Sequence, residues 1–363
     1  MKKFSLSSDE MKKAFKKLGQ AVNANTVLPV LKSIYCKVNG NELEMIASDL
    51  EITISYKCQV QTDEKEPFEL LLPFDYLNKI VSVIGNMPIT IELRSATKAK
   101  LLCEDDVYEI NNLDKAIDFP KLPETPKKNS IVLDKNFIDI ISKAMLTASK
   151  DEARPSMTRS LVDIKENESF VVSTDANHLF RHKLDIQSTK AEAIQFSKKM
   201  SKAIEGMTEI NLSWTKDKVA LRNEIITVWC KLYDDRYPDY NVVIPTYGPN
   251  LEIKKSDVEA MLNKALIAGN STGQVVLHLK KAIGYVVWES ADDDNGKKNT
   301  GKVPGDYSGV VETISVNAKK MLTMMDQVDA ENLRLHIHDA KKAVLVSTEE
   351  DPNYLGLIMP LIF

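Results

Sequence analysis

The 363-residue sequence predicts an α+β fold in which one unit is used three times, and three observations carry that prediction. First, Leu77, Ile80, Val81 and Ile84 form an i, i+3, i+4, i+7 apolar stripe. Met200, Ala203, Ile204 and Met207 repeat it, as do Met321, Met324, Met325 and Val328. The stripes begin 123 and 121 residues apart, the fixed-period self-similarity of a repeated architecture, and each fits one face of a helix. Second, another helix type recurs in the same phase: Met11, Phe15 and Leu18, then Phe137, Ile141, Ala144 and Met145, then Val258, Met261, Leu262 and Ala265. Third, an alternating strand follows each stripe, at 89–93, 210–214 and 333–337.

In chain order, the first helix (9–20) starts behind the capping candidates Ser8 and Asp9. Asn39-Gly40-Asn41 has the chemistry of a hairpin turn, and Glu104-Asp105-Asp106 is a weaker turn signal between two apolar runs. A second helix covers 74–84. Prolines within 123–128 place a boundary near 127. Helices at 134–150, after Asp134, and at 197–206 follow. The strand at 225–232 must end before Pro238, which cannot donate to a ladder and pushes Tyr237 toward extended geometry. The stretch 235–245 therefore reads as a connector that also forms one wall of a groove. Pro245 and Gly248-Pro249 set a boundary near 249, ahead of helices at 254–268 and 317–328. Residues 292–308, polar and rich in Gly and Lys, read as a mobile loop. Its Asp-Asp-Asp-Asn-Gly start fails as a calcium loop, because the glycine comes one place early and no glutamate closes it. The expected segments are 1–127, 128–249 and 250–363, each with antiparallel strands and two helices on one face.

Composition places the chain among ordinary water-soluble proteins, at 43% hydrophobic and 28% charged residues. No run is long and apolar enough to span a membrane, and the N-terminus lacks an apolar signal region, so a cytoplasmic protein is expected. Cys36, Cys58, Cys103 and Cys230 have no CxxC spacing and read as reduced, buried thiols. The net charge of −4 argues against a simple basic nucleic-acid binder. Yet the six predicted helices hold 16 Lys against 9 acidic residues, while the rest of the chain holds 32 basic and 43 acidic ones. Lysine favours exposed helix faces in any case. The sharper reading is that the helices face a polyanion, bound through phosphates without sequence readout.

Catalytic signals are missing. There is no phosphate-binding loop, dinucleotide fingerprint, zinc-protease motif or nucleophile elbow. His336 and His338, beside Asp339, read as a surface strand pair. His178 and His182 lack further ligands nearby, and the acidic pairs Asp105-Asp106 and Glu349-Glu350 fall at turns where solvation is the default. No enzyme, cofactor or metal is expected.

Five stretches, in order and spread over the whole chain, resemble one family. They are the opening helix with Thr26-Val27-Leu28-Pro29-Val30-Leu31, then Ala47-Ser48-Asp49-Leu50-Glu51, then Ser173-Thr174-Asp175-Ala176-Asn177-His178-Leu179, then residues 231–245, and finally Leu357-Ile358-Met359-Pro360-Leu361. Together they are similar to the bacterial DNA polymerase III β subunit, the sliding clamp. The resemblance implies three clamp domains per chain and a head-to-tail homodimer closing as a six-domain ring, with helices lining the hole and sheets outside. It implies a non-catalytic processivity factor that encircles double-stranded DNA without sequence preference. The alternative is a diverged, clamp-like peptide-docking protein that does not encircle DNA. The implied partners are the DNA polymerase III α subunit, the clamp loader and other proteins carrying a short hydrophobic peptide. Carried over by position, the groove for that peptide is Met157, Thr174, Ala176, Asn177, His178, Leu179, Pro238, Val242, Val243, Ala343, Leu357, Met359, Pro360 and Leu361. The dimer interface falls on Tyr108 and Ile110 with Ile267 and Ala268, residues that could instead pack their own domain's core. Lys150, Arg154, Lys198 and Lys199 are DNA-facing by position and charge. Two departures stand out: Ala176-Asn177-His178 replaces the family's usual Gly-His-Arg, and Ile362 replaces a basic residue, so the groove is expected to be more apolar.

Overall fold

The computed structural model describes residues 2–127, 129–186, 191–268 and 271–362, leaving the boundary residue Lys128 and the terminal Phe363 outside the described residues. The first third of the chain runs β1 (Lys3–Ser7), α1 (Ser8–Leu18), β2 (Ser33–Asn39), β3 (Glu42–Ser48), β4 (Ile52–Gln59), β5 (Phe68–Pro73), α2 (Phe74–Val83), β6 (Pro88–Ser95), β7 (Lys98–Cys103) and β8 (Asp106–Asn111). The same order returns as β9 (Asn129–Asp134), α3 (Lys135–Ala144), β10 (Ser160–Ile164), β11 (Ser169–Thr174), β12 (His178–Leu184), β13 (Glu192–Phe196), α4 (Lys198–Ile204), β14 (Glu209–Trp214), β15 (Lys218–Arg222) and β16 (Ile226–Lys231). The last third is β17 (Leu251–Lys254), α5 (Lys255–Ala268), β18 (Gln274–His278), β19 (Tyr285–Asp292), β20 (Lys297–Pro304), β21 (Asp306–Tyr307), β22 (Thr313–Asn317), α6 (Ala318–Met325), β23 (Asn332–His336), β24 (Val344–Ser347) and β25 (Tyr354–Ile358). Only the short β21 breaks the threefold pattern among the described residues.

By its contacts the chain forms two compact units, residues 1–138 with 199–233 and residues 139–198 with 234–363, so the middle repeat is shared between them. The first unit holds an eight-stranded antiparallel sheet, β5-β2-β3-β4-β16-β15-β14-β9, and a four-stranded sheet, β1-β6-β7-β8. Its helices α1 and α2 bury Met11, Phe15 and Leu18 with Leu77, Ile80 and Val81. The rings of Phe15 and Phe74 meet at 5.3 Å, and a Cβ on Gly19 would stand 2.9 Å from Phe74. The second unit repeats the plan with a nine-stranded sheet, β13-β10-β11-β12-β25-β24-β23-β17-β21, and a four-stranded one, β20-β19-β18-β22. Val258, Met261, Leu262 and Ala265 of α5 and Met321, Met324 and Met325 of α6 fill its helix layer.

Several expectations need correction. The cap of α1 is Ser7, which accepts from the Glu10 N–H at 3.1 Å; Ser8 is buried and donates to the Gly85 carbonyl at 2.6 Å. Helix α3 ends at Ala144, because the Leu146 and Thr147 N–H groups turn to carbonyls three residues back; Lys150 lies beyond it. Residues 292–308 are no mobile loop. Gly296 turns the chain at φ 63°, and β20 then pairs with β19 along its whole length, from Asp292↔Lys297 to Tyr285↔Pro304. Gly301 faces the Trp288 ring, where a Cβ would come within 2.7 Å, so a residue that reads as a loop former is a packing requirement. His336 is buried rather than on the surface. Its Nδ1 meets the Tyr247 carbonyl and its Nε2 the Ser347 hydroxyl, both at 2.8 Å, and burial pushes its pKa down. Glu350 is more than a solvated turn residue. It accepts from the Thr348 hydroxyl and from the Glu331 and Asn332 N–H groups, which hold its carboxyl down at about 2.

Candidate functional site

The strongest candidate site lies in the second unit, where β12, β25 and β24 run side by side under the 234–249 connector. Strand alternation turns Leu179, Leu357 and Leu345 to one face, where they pack with Leu161, Val172, Ala343, Tyr237 and Tyr240 in one buried apolar cluster. Phe170, Ile244 and Leu355 flank it. Two tyrosines pin the connector down. The Tyr240 hydroxyl donates to Asp163 at 2.6 Å, and the Tyr237 hydroxyl reaches the Arg159 carbonyl at 3.4 Å. The connector thus holds Val242 and Val243 at the surface, 77% and 48% exposed. Exposed branched aliphatics beside a buried cluster form an apolar lip.

The other wall is the turn between β11 and β12. Ala176 takes a left-handed φ of 74°, held by the Thr174 hydroxyl, which accepts from the Ala176 N–H and donates to the His178 carbonyl. Asp175 Oδ1 accepts from the Asn177 and His178 N–H groups at 2.9 Å and from His178 Nδ1 at 2.8 Å. Its Oδ2 takes the Lys320 ammonium from α6. Burial alone would raise the Asp175 pKa; the hydrogen bonds from His178 and Lys320 outweigh it and hold the carboxyl well below its ordinary range. His178 Nε2 is buried with no hydrogen-bond partner among the described residues. The C-terminal segment closes the site, as the Met359 N–H donates to the Asn177 carbonyl and the Leu361 N–H to the Ser315 carbonyl, both at 2.8 Å. Met359 is partly exposed, Pro360 is buried and Leu361 half-buried.

Of the groove residues expected from the sequence, Leu179, Ala343 and Leu357 meet in the cluster. Thr174, Ala176, Asn177 and His178 share the turn, Pro238, Val242 and Val243 share the connector, and Met359, Pro360 and Leu361 share the terminal segment. Met157 stands apart in a 3-10 turn, Pro155–Thr158, outside the cluster. Tyr240, Leu161, Val172 and Leu345 were not among the expected residues, although the alternation of β10, β11 and β24 carries the signal for the last three.

The two remaining sets are placed by their elements. Lys150, Arg154 and Lys198 are exposed, Arg154 lying 3.9 Å from Asp151. Lys199 is ion-paired to Asp49, whose side chain is only 4% exposed. Tyr108 and Ile110 sit on β8, an edge strand of the first unit; Tyr108 is half-buried, but Ile110 points into its own core. Ile267 is exposed on the last turn of α5, and the Ala268 side chain is outside the described residues. In the second unit, β20 is the corresponding free edge.

Comparison with known proteins gives one consistent likeness. The description "DNA polymerase III beta subunit, N-terminal domain" matches residues 2–123. Beta sliding clamps of Staphylococcus epidermidis and Bacillus subtilis align end to end, each 22% identical over 99% of both chains. Along its whole length the chain is similar to bacterial β sliding clamps. Solved clamps share its fold: that of Pseudomonas aeruginosa bound to griselimycin superposes with a TM-score of 0.90 at 18% identity, covering 100% of both chains. The B. subtilis clamp gives 0.89 at 19%, covering 100% of this chain and 99% of that one.

Among the described residues, no group of three or more metal-ligating side chains occurs. The thiols of Cys36, Cys58 and Cys230 are pushed up by burial, the last two to about 12, and all four cysteines are free. No described helix is long and apolar enough to cross a membrane.

Proposed function

We propose that this chain is a DNA sliding clamp, a non-catalytic processivity factor that encircles duplex DNA and tethers replication and repair proteins to it. The observation that carries the reading is the end-to-end match to β sliding clamps, with the apolar groove under the 234–249 connector intact. In this reading each chain supplies three clamp domains, 1–127, 128–249 and 250–363, and two chains close head to tail. Internal repetition supports that closure. Strand β4 pairs with β16, and β12 pairs with β25; the third pairing of this kind would join β20 to β8 of a second chain. Unpaired edges invite such addition. Their charges are complementary, with Lys297, Lys298 and Lys302 on β20 and Asp106 and Glu109 on β8. Such a head-to-tail contact is heterologous and forms a ring only if the rotation closes. Tyr108 and Ile110 with Ile267 and Ala268 are its proposed contacts.

The groove takes a short hydrophobic peptide of the kind carried by the polymerase α subunit and the clamp loader. Val242, Val243 and Met359 supply an adaptable apolar wall. DNA passes against Lys150, Arg154 and Lys198, through phosphate contacts weak enough to permit sliding. Lys199 joins them only if it leaves Asp49. Light scattering over a concentration series tests the assembly. The expected mass is twice the 40.8 kDa chain, falling to one chain when β8 carries Glu109→Pro: the two-residue turn makes Cys103 and Asp106 a hydrogen-bonded pair, so alternation turns the Glu109 N–H to the free edge, and proline removes that donor. A monomer at every concentration would favour a peptide-docking protein that does not encircle DNA.

A further inference from the structure

The groove residues of the second unit have counterparts in the first, fixed by register. Asp49 Oδ1 accepts from the Glu51 and Ile52 N–H groups at 3.0 and 2.9 Å, as Asp175 does from Asn177 and His178. Leu50 is left-handed at φ 73°, as Ala176 is at 74°. Lys199 pairs with Asp49 as Lys320 does with Asp175. The Lys231 N–H donates to the Glu51 carbonyl as the Met359 N–H does to Asn177. With Asp49 set on Asp175, Thr53 and Trp229 face each other across β4 and β16 as Leu179 and Leu357 do across β12 and β25. Lys218 then stands at the position of Ala343, and Lys231 at that of Met359.

These counterparts enclose a cavity of about 200 Å³, lined among others by Leu50, Thr53, Pro123 and Trp229. A cavity on the order of 150 Å³ is enough to take benzene, so one large side chain fits. Leu50 is 60% exposed at its mouth, and the Trp229 indole is fixed by donating to the Thr125 hydroxyl at 3.0 Å. Lys218 and Lys231 are directly opposite in the β15–β16 ladder and both exposed. Neither has an ion-pair partner among the described residues. Like charges so placed repel, and an incoming carboxylate would relieve that. Glu51 and Asp217 complete the rim; Asp217 already accepts from the Thr215 hydroxyl. They confine a ligand's carboxylate to the lysine side.

We infer that this chain carries a second peptide-docking groove, on β4, β15 and β16, for a partner segment with an aromatic or large aliphatic residue flanked by carboxylates. The aromatic residue enters the cavity over Trp229, and the neighbouring carboxylate bridges Lys218 and Lys231. The two grooves then select differently: Ala343 and Met359 favour an apolar peptide, Lys218 and Lys231 an acidic one.

Two labelled probes test this by fluorescence anisotropy: acetyl-Ser-Glu-Phe-Glu-Ser-amide and its glutamine counterpart, acetyl-Ser-Gln-Phe-Gln-Ser-amide. The acidic probe should bind roughly tenfold or more tighter, the difference made by charge-assisted hydrogen bonds, and should weaken with salt. Lys218→Glu combined with Lys231→Glu should abolish that preference. Val242→Glu with Met359→Glu, in the other groove, should leave it unchanged. Because both lysines are exposed, the double variant should fold; independently, the acidic probe should change wild-type tryptophan fluorescence but not that of Trp229→Phe. Equal affinity for the two probes, no binding at millimolar concentration, or loss only with the Val242/Met359 variant would overturn the assignment. The last outcome would leave the sliding-clamp reading untouched.

Discussion

Asp175→Asn tests how the groove wall is held. The carboxylate carries four interactions: three within its turn, at 2.8 to 2.9 Å, and the Lys320 ammonium. The amide keeps one oxygen for the turn but presents an N–H₂ donor to either Lys320 or His178. Hydrogen bonds to charged groups contribute about 1.5–3 kcal/mol each. Lys320 is only 25% exposed and Asp175 19%, so solvent recovers part of the loss, and a destabilisation of about 2–3 kcal/mol is expected. Urea denaturation followed by circular dichroism measures it. The pH dependence gives a second readout. A depressed carboxyl pKa stabilises the fold above the unfolded value, near ~3.9, and that contribution disappears as pH falls below it. Wild type should lose this component in acid, and Asp175→Asn should lack it. Affinity for a hydrophobic groove peptide should fall as well, because the left-handed Ala176 loses its anchor. A stability change under about 0.5 kcal/mol, within the range of ordinary surface substitutions, with peptide affinity unchanged, would refute the reasoning.

Gly301→Ala places a Cβ within 2.7 Å of the buried Trp288 ring; overpacking should cost about 1–3 kcal/mol in thermal melts and weaken the proposed dimer contact through β20. His336→Gln should alter the pH profile in a different window. The burial-lowered pKa of His336 means the folded state keeps it neutral, so stability declines as pH drops below the ordinary imidazole value, near ~6.5. The variant should be less stable at neutral pH but flatter across that window in urea titrations. Lys198→Glu should weaken DNA retention and reduce its salt dependence, each lost phosphate contact removing roughly one unit of slope. Unchanged retention would mean the residue faces elsewhere. Lys199 is the poorer choice, since its reversal also breaks the pair with Asp49.

The helices were legible because their stripes bury one face at a strict period: Leu77, Ile80 and Val81, or Met321, Met324 and Met325, are all inside. Their ends were less so. Ser7 rather than Ser8 caps α1, a choice settled by the hydrogen bond of Ser8 to the distant Gly85 carbonyl. Residues 297–304 read as loop because Lys, Asn and Gly dominate, yet an edge strand in a solvent-facing hairpin needs few apolar residues, and Val303 is its only buried one. His336 was misplaced because its partners, the Tyr247 carbonyl and Ser347, come from other segments that no local pattern reveals. At the groove, the motif residues marked the turn and the terminal strand, but the floor from β10, β11 and β24 depends on which strands become neighbours. Lys199 shows the same limit: its charge was legible, its partner Asp49 was not.

Encirclement is tested most directly by topology. After loader-driven assembly on nicked circular duplex, the protein is separated from free clamp by gel filtration, and the circle is then cut once. A ring stays with the intact circle and is released by the cut, at constant salt and constant phosphate charge. Equal retention before and after cutting would mean that affinity rather than enclosure holds the protein, and would contradict the proposed action as a sliding clamp.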